Sequence, residues 1–459
     1  MPNHPPSVER VLAAARPQVA DRDPEAVLAV ARDLIEAERA RLASGAAPAD
    51  AAALGAEVVA RLRSFDGEVS GGSAPGVINA TGVLAHTNLG RATWPRVAIE
   101  AAGRATEAPL LLELDPATGR RGRRLRLAEE HLIALTGAED ALVVTNNAAA
   151  IALAVGLAGR GGGVAVSRGE LVEIGGGVRI PEILRRAGVR LVEVGTTNRT
   201  RVADFEAAFE DARSRIRLVL RVHPSNFVQA GFVESPDAAD LASLAHRRGA
   251  NVVDDLGSGA LLATEQFGLA HEPTPRERLA AGADVVTFSG DKLVGGPQAG
   301  LIVGRADLVG KLRRDPLARA MRPDRSILAA VAATLALYRG GRAAAEIPIW
   351  RQLSRPLPEL LERAISLQAG VASARVGIVE TDATVGGGSL PGEVVASVGL
   401  AIRSERGDGA TALLARLRAG APVVIGRIER DRVILDLRTI EPADDVALAD
   451  AIRAALADG

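Results

Sequence analysis

One lysine stands out in the stretch VVTFSGDKLVGGPQAG, which covers residues 285–300. The chain has 55 lysines and arginines in total, and only Lys292 and Lys311 are lysines. An amine can lose its proton and attack a carbonyl carbon, whereas a guanidinium stays protonated. Because arginine serves nearly every other basic position, Lys292 is a candidate for Schiff-base chemistry, and a solvated surface lysine is the alternative. Lys311 lies among arginines on a predicted helix, and we interpret it as a surface residue.

Pyridoxal phosphate is the cofactor that such a lysine suggests. Besides the lysine, it needs a carboxylate at its pyridinium nitrogen, a cradle for its phosphate and contacts to its ring. The stretch NVVDDLGSG places two carboxylates at the end of a predicted strand. We favour Asp254 for the ring nitrogen and keep Asp255 as the alternative. An Asp pair in this position is also typical of a turn or a helix cap.

Polar residues elsewhere offer the remaining contacts. In TNNAAAIAL, a strand-to-helix junction combines backbone N–H groups with Asn146 and Asn147, which suits either a phosphate or ordinary helix capping. Ser289, three residues before the lysine, can donate its hydroxyl to the same phosphate. In VHPSN, Asn226 is a candidate for the ring hydroxyl and His223 for a ring contact.

These residues must be positioned by the elements that carry them. From about residue 77 to residue 310, apolar runs such as ALVVT, GVAVS, RLVLRVH, ANVVDD and ADVVTFS alternate with helical stretches. This alternation predicts an α/β domain with a mostly parallel sheet that is covered by helices on both faces. Ligands of such sheets bind at the carboxyl ends of the strands, where the polar residues above lie. Several loops are therefore expected to converge on one site.

The chain divides into three predicted domains. Residues 1–66 are predicted to be helical, with Asp23 as the N-cap of a helix that opens on proline. Residues 67–76 are rich in glycine and serine and lack an apolar period, which indicates a linker. Residues 77–330 are the cofactor-binding domain, and residues 331–459 are a smaller α/β domain in which RIERDRVIL predicts a hairpin.

Composition limits the class of protein. The chain has 459 residues, no cysteine and a formal net charge of −1. The absence of cysteine excludes disulfides and thiolate metal sites. The near-neutral charge is not typical of a general nucleic-acid binder. We find no long apolar segment for a membrane crossing or a secretory signal, and we expect a cytoplasmic enzyme.

Taken in order, the motifs resemble a known family. A small-residue turn, an Asp at a strand end and then Ser-x-x-Lys is the order found in the aspartate-aminotransferase-like (fold type I) pyridoxal-phosphate enzymes. More closely, nine collinear stretches are similar to the bacterial selenocysteine synthases, the L-seryl-tRNA(Sec) selenium transferases. These stretches are INATGVLAHTNLGRA, TGRRGRR, LVVTNNAAA, SRGELVEIGGGVRIPEI, VGTTNRT, VHPSNF, VVDDLGSG, FSGDKLVGGPQAGLIVG and LARAMRPDR. With the helical N-terminal residues they span nearly the whole chain.

The resemblance implies an activity and an assembly. It implies conversion of seryl-tRNA(Sec) to selenocysteinyl-tRNA(Sec) with selenophosphate, through an aldimine of pyridoxal phosphate and a dehydroalanyl-tRNA. It also implies a homo-oligomer, a decamer built as a pentamer of dimers, in which the N-terminal domain docks the tRNA. Lys292 matches the Schiff-base lysine and Asp291 the residue before it. Arg91, Arg319 and Arg322 match the arginines that hold the selenium donor.

The arginines named by the resemblance also make physical sense. Arg319 and Arg322 are three residues apart, so we expect them on one face of a helix, where planar guanidinium groups suit an anion. Arg325 stands where the family usually has a lysine, which leaves its role open. The run GRRGRRLR places five arginines at residues 120–126, which suits RNA backbone, a neighbouring subunit or solvent.

Two other functions fit the same features. A lyase acting on a small phosphorylated amino acid or sugar acid would use the same cofactor, and a non-catalytic tRNA-binding protein would keep only the fold. The helical N-terminal domain favours tRNA, and the retention of Lys292 argues against a non-catalytic protein. The first 66 residues carry 8 arginines and 10 acidic residues, a net charge of −2, so tRNA docking there requires a localised basic face.

Overall fold

The computed structural model describes residues 4–67, 76–174, 177–404 and 409–457, so most of the predicted linker at 67–76 lies outside the described residues. The helices are α1 (Val8–Ala15), α2 (Pro24–Ala43), α3 (Ala51–Gly67), α4 (Arg96–Glu107), α5 (Leu127–Thr136), α6 (Asn147–Val155), α7 (Ile180–Arg186), α8 (Val202–Glu210), α9 (Ala238–Arg247), α10 (Pro275–Ala280), α11 (Ala306–Arg314), α12 (Pro316–Ala320), α13 (Arg325–Arg339), α14 (Ala343–Glu346), α15 (Pro348–Ser354), α16 (Leu357–Val371), α17 (Gly409–Ala419) and α18 (Asp445–Ala457). The strands are β1 (Val77–Asn79), β2 (Asp140–Val144), β3 (Gly163–Ser167), β4 (Glu173–Ile174), β5 (Val178–Arg179), β6 (Arg190–Val194), β7 (Ile216–Val222), β8 (Asn251–Gly257), β9 (Val285–Ser289), β10 (Gly300–Gly304), β11 (Val376–Ala383), β12 (Val395–Ile402), β13 (Val423–Ile425), β14 (Arg427–Glu429) and β15 (Arg432–Asp436). In these ranges no helix combines the length and the apolar character that a membrane crossing requires.

The N-terminal helices belong to a compact unit that comprises the residues up to Val77 together with Ala421–Val423. Asp23 caps α2 by accepting a hydrogen bond from the backbone N–H of Glu25, and Pro24 opens the helix as predicted. The three helices α1, α2 and α3 bury an apolar core of their own. This unit therefore has the interior that a small helical domain requires.

A seven-stranded sheet lies in the second unit, in the order β2-β10-β9-β8-β7-β3-β6. The strands β9, β8, β7, β3 and β6 run parallel, and β10 runs antiparallel between β9 and β2. Separate apolar clusters lie on the two faces of the central strands, which is why these strands are continuous apolar runs in the sequence. The predicted α/β architecture with a mostly parallel sheet is confirmed.

The carboxyl ends of neighbouring strands carry the polar residues that the sequence singles out. Asn146 follows β2, His223 follows β7 and Asp255 lies near the end of β8. Ser289 is the last residue of β9, and Lys292 comes three residues later. Because β7, β8 and β9 are adjacent and parallel, their ends meet at one edge of the sheet.

The C-terminal segment forms a second, antiparallel sheet in the order β11-β12-β15-β14. The predicted hairpin is present as β14–β15, and the φ angles of 49° and 56° at Arg430 and Asp431 are typical of a two-residue type I′ turn. The helices α16, α17 and α18 contribute to one apolar core with this sheet. Both sheets belong to the same compact unit, so the predicted domain at residues 331–459 has its own core but is not a separate unit.

Candidate active site

A cavity of about 410 Å³ lies at the carboxyl ends of the central strands. Most of the residues predicted for the site line it: Arg91, Asn146, Asn147, Asn226, Ser289, Asp291 and Lys292. Residues that the sequence did not favour or did not indicate line it as well: His223, Ser225, Asp255, Gly257, Gly387 and Gly388. Three predicted residues, Asp254, Arg319 and Arg322, lie elsewhere.

The side chain of Lys292 is partly buried in this cavity. Its Nζ donates a hydrogen bond to the carbonyl oxygen of Gly388 at 3.3 Å. Burial lowers the pKa of Lys292 and the cation of Arg91 lowers it further, while the carboxylate of Asp255 opposes the shift. A lowered pKa increases the fraction of neutral amine, which is the form that attacks a carbonyl carbon. The surroundings of Lys292 therefore suit the chemistry expected of it.

A run of glycines between β11 and β12 lies against the amine. Gly386, Gly387 and Gly388 have φ angles of 70°, 62° and 78°, a conformation that favours glycine. A Cβ atom on Gly388 would lie 2.9 Å from Nζ of Lys292, and one on Gly257 would lie 3.6 Å from it. Side chains at these two positions would fill the space beside the amine. The glycines therefore keep room there for a carbonyl compound.

The structure reverses the preference for Asp254 over Asp255. Successive side chains of a strand point to opposite faces, so the two carboxylates of β8 are on opposite sides of the sheet. Asp254 lies 3.5 Å from a nitrogen of Arg221 and 3.6 Å from a nitrogen of Arg278, away from the cavity. Asp255 lines the cavity that contains Lys292. Asp255 is therefore the candidate partner of a pyridinium nitrogen.

Two neutral side chains hold Asp255 in place. Its Oδ1 accepts hydrogen bonds from Nδ2 of Asn147 at 2.7 Å and from Oγ1 of Thr287 at 2.9 Å. Burial raises the pKa of Asp255, and these hydrogen bonds and the charge of Lys292 lower it. A cation brought into the cavity would favour the ionised carboxylate in the same way. Asp255 is thus oriented before any ligand arrives.

The turn after β2 and the end of β9 offer donors for an anion. Asn146 caps α6 by accepting a hydrogen bond from the N–H of Ala149 at 2.9 Å, so its side-chain oxygen is engaged. Asn147 is engaged by Asp255 through its amide nitrogen. Ser289 is buried and lines the cavity. The first backbone N–H groups of α6 and the Ser289 hydroxyl are therefore the groups best suited to a phosphate.

The turn after β7 contributes Asn226 and His223. Nδ2 of Asn226 donates to the carbonyl oxygen of Glu173 at 2.8 Å, so one of its two amide hydrogens stays available to a ring hydroxyl. Nε2 of His223 lies 3.4 Å from Oε2 of Glu272. No sequence pattern indicates Glu272, which lies in the loop before α10.

Arg91 and Asp291 form an ion pair at the wall of the cavity. Nη1 of Arg91 lies 3.1 and 3.0 Å from the two carboxylate oxygens of Asp291. The backbone N–H of Ala92 donates to the carbonyl oxygen of Asp291 at 3.2 Å. Arg91 has a φ of 64°, which is uncommon for a residue with a side chain and persists where surrounding contacts hold it. The ion pair with Asp291 and the hydrogen bond from Ala92 to Asp291 are two contacts that hold this segment in place.

The helical arrangement expected of Arg319 and Arg322 is wrong. α12 ends two residues before Arg322, because Arg322 precedes a proline and such a residue disfavours the helical conformation. Both side chains are exposed, and Arg322 lies 3.6 Å from Glu113. The loop nevertheless touches the turn after β2, since the N–H of Thr145 donates to the carbonyl oxygen of Met321 at 2.9 Å.

The arginine run at residues 120–126 is largely engaged within the chain. Four of its five side chains make ion pairs, which are Arg121–Glu113, Arg123–Asp140, Arg124–Glu113 and Arg126–Glu130. Their partners are three carboxylates, Glu113, Asp140 and Glu130, and the first two also pair with Arg322 and Arg313, so the side chains are engaged although the charge of the run is only partly offset. The run is therefore a poor candidate for a free basic surface.

Comparisons with known proteins identify relatives of the chain. The family model described as L-seryl-tRNA selenium transferase (SelA) matches residues 77–441. An L-seryl-tRNA(Sec) selenium transferase of Moorella thermoacetica is 43% identical over 98% of this chain and 96% of its own length. The enzyme of the same name from Rhizobium meliloti (strain 1021) is 42% identical over 95% of this chain and 94% of its own length.

Solved structures confirm the fold. The structure of D-glucosaminate-6-phosphate ammonia-lyase is similar with a TM-score of 0.60 and 22% sequence identity, over 84% of this chain and 96% of that chain. At this identity the likeness concerns the fold alone. The predicted fold class, that of the aspartate-aminotransferase-like (fold type I) proteins, is confirmed.

Proposed function

Because the chain belongs to the L-seryl-tRNA selenium transferase family, we propose that it converts seryl-tRNA(Sec) to selenocysteinyl-tRNA(Sec). In this proposal selenophosphate is the selenium donor and pyridoxal phosphate is the cofactor. The observation that carries the proposal is the placement of Lys292 in one cavity with Asp255 and with the Arg91–Asp291 ion pair.

The residues of the cavity fit pyridoxal phosphate. The cavity has a volume of about 410 Å³, which lies in the range of small-molecule sites. We assign Lys292 to the carbonyl carbon, Asp255 to the ring nitrogen and Asn226 to the ring hydroxyl. We assign Ser289 and the backbone N–H groups of Asn146, the N-cap of α6, and of Asn147, its first residue, to the phosphate. When bound, the cofactor supplies an aldehyde and a ring that accepts an electron pair from Cα of the amino acid.

The protein contributes proton transfer and electrostatics. Lys292 would hold the cofactor through its aldehyde carbon and, as a free amine, would accept the proton from Cα of the seryl group. The lowered pKa of Lys292 supports both tasks, since each requires the neutral amine. Asp255 favours a protonated ring nitrogen, and Asp291, fixed by Arg91, orients the neighbouring lysine. A contact or a charge in the cavity supports each of these assignments.

The donor site in the proposal extends beyond one chain. Arg91 lines the cavity, whereas Arg319 and Arg322 are exposed and lie outside it. Guanidinium groups bind phosphate-like anions with two parallel hydrogen bonds, which suits selenophosphate. In the proposed homo-oligomer a second copy brings Arg319 and Arg322 to the cavity, and the N-terminal helices dock the tRNA.

The experiment that tests the proposal measures the amino acid on the tRNA. Purified protein loaded with pyridoxal phosphate is incubated with seryl-tRNA(Sec) and selenophosphate, and the released amino acid is identified by mass spectrometry. We expect selenocysteine from seryl-tRNA(Sec) and not from bulk seryl-tRNA. Turnover of a small phosphorylated amino acid or sugar acid without tRNA would contradict the proposal, and so would tRNA binding without turnover.

A further inference from the structure

A carboxylate that has no role in the mechanism above is buried beside the cavity. The exposed fraction of Glu272 is 2%, and its Oε1 has no hydrogen-bond partner among the described residues. Its backbone N–H donates to Oγ1 of the buried Thr264 at 3.0 Å, which fixes the loop. Burying a carboxylate without a counter-charge is costly, so the identity of its partner is informative.

The partner of Glu272 is His223. Nε2 of the imidazole lies 3.4 Å from Oε2, and within the described ranges this is the one ion pair of Glu272, although arginines are abundant in the chain. Because Nε2 faces Glu272, Nδ1 is the ring nitrogen left for a ligand. When it carries both protons, the imidazole offsets the carboxylate of Glu272 and has a second N–H, on Nδ1, for a ligand in the cavity that His223 lines.

The turn that carries His223 lies close to the amine of Lys292. A Cβ atom on Gly257 would lie 3.2 Å from Oγ of Ser225 and 3.6 Å from Nζ of Lys292, so both groups border one small space. The backbone N–H of His223 donates to the carbonyl oxygen of Asp255 at 2.8 Å. His223 is therefore tied to the strand that carries the candidate partner of the ring nitrogen.

The proposed conversion needs a proton donor for the departing hydroxyl, because hydroxide is a poor leaving group. The carboxylates of the cavity are not suited to this task. Asp291 is paired with Arg91, and Asp255 is assigned to the ring nitrogen. Two nitrogen acids remain, which are the ammonium group formed on Lys292 and the imidazolium of His223.

Resting on the proposed function, we propose that His223 is the general acid for loss of the seryl β-hydroxyl and that Glu272 is its positioning residue. Lys292 takes the Cα proton, and the electron pair of the Cα–H bond forms the Cα=Cβ double bond. The Cβ–O bond breaks with its electron pair on oxygen, and the Nδ1 proton of His223 converts that oxygen to water. Solvent then returns a proton to His223.

The test compares two leaving groups in the holoenzyme. Seryl-tRNA(Sec) is compared with β-chloroalanyl-tRNA(Sec), because chloride leaves without a proton. His223→Gln is expected to lower conversion of the seryl substrate by about 100-fold or more and to leave the chloro substrate within a few-fold of wild type. Glu272→Gln is expected to lower conversion of the seryl substrate selectively as well, but by a smaller factor. His246→Gln is the matched control, since His246 pairs with Asp284 at 2.9 Å outside the cavity, and it leaves both rates unchanged.

A second readout separates proton removal at Cα from loss of the hydroxyl. In D₂O, His223→Gln should continue to exchange the Cα hydrogen of the seryl group while product formation falls, as measured by mass spectrometry. Equal losses with both substrates, or unchanged conversion of the seryl substrate, overturn the assignment and leave the proposed function intact. If the wild-type protein converts neither substrate, the proposed function fails and the assignment fails with it. If His223→Gln does not bind the cofactor, the comparison of the seryl and chloro substrates is made with Glu272→Gln, and the same outcomes support or overturn the assignment.

Discussion

In the structure, Nη1 of Arg91 lies 3.1 and 3.0 Å from the two carboxylate oxygens of Asp291, the residue next to Lys292. The pair joins the segment after β1 to the loop after β9, so it fixes a cation from a distant part of the chain close to the candidate reactive amine. The charge of Arg91 lowers the pKa of Lys292. The ion pair therefore links the position of the amine to its reactivity.

Removing this cation is predicted to shift the pH dependence of cofactor binding. Arg91→Gln deletes a positive charge that lowers the pKa of Lys292, so the neutral amine should form only at higher pH than in wild type. The rate at which apoenzyme captures pyridoxal phosphate, followed by imine absorbance, should have its midpoint at higher pH. Arg213→Gln is the control, because the side chain of Arg213 is exposed, pairs with Asp211 and does not line the cavity, and it should leave the midpoint unchanged. A midpoint that stays in place or moves down in Arg91→Gln would contradict this role.

Substitutions of the two aspartates of β8 are predicted to have different effects: loss of turnover for Asp255 and loss of stability for Asp254. Asp255→Asn removes the carboxylate from the cavity, and turnover should fall by about 10²–10³-fold with little change in stability. Asp254→Asn instead removes the carboxylate that lies 3.5 Å from Arg221 and 3.6 Å from Arg278, which should lower the free energy of unfolding by about 3 kcal/mol. Steady-state turnover and urea unfolding of both variants check this. If Asp254→Asn instead lost turnover while Asp255→Asn lost stability, Asp254 would be the partner of the ring nitrogen.

The glycine run is predicted to tolerate no side chain at its third position. A Cβ atom on Gly388 would lie 2.9 Å from Nζ of Lys292, so Gly388→Ala should slow imine formation by about 10-fold or more. Gly392→Ala is the matched control, because Gly392 has a similar φ of 82° and its added Cβ would meet Val228. Equal rates of imine formation in the two variants would show that backbone strain, and not the space beside the amine, sets the requirement.

Sharing of the donor site between subunits is predicted to appear in mixed assemblies. If a second copy supplies Arg322, mixing Lys292→Ala with Arg322→Ala subunits should recover about one quarter of wild-type activity, because half of the pairs are mixed and each has one intact site. In the control mixture, Lys292→Ala subunits are combined with Arg91→Ala subunits instead of Arg322→Ala subunits. Arg91 and Lys292 line the same cavity of one chain, so that mixture should recover nothing. Activity no higher than that of the separate variants would place Arg322 in the site of its own chain.

Much of this site could be predicted from the sequence, because parallel strands put their following residues at one edge. The rarity of lysine and the polar residues at the strand ends were sufficient to indicate Lys292, the start of α6 and Ser289. The choice between Asp254 and Asp255 was not accessible, since helices cover both faces of the sheet and alternation alone does not say which face holds the cavity.

Contacts between distant segments explain why other residues at the site were not predicted from the sequence. The carbonyl of Gly388 reaches Lys292 across 96 residues, and neither its hydrogen bond nor its position follows from a local pattern. The run of three glycines with positive φ was a usable signal, because consecutive glycines indicate a close approach of backbone to another group. Glu272 offered no such signal, since a single acidic residue in a loop is ordinary.

The central claim is that Lys292 is the amine that binds the cofactor's aldehyde. Protein incubated with pyridoxal phosphate is reduced with borohydride, digested and mapped by mass spectrometry, which locates the adduct on one lysine. We predict the adduct on Lys292 in wild type and in Lys311→Ala, and no adduct in Lys292→Ala. An adduct that survives in Lys292→Ala, or one found on Lys311 alone, would contradict the account.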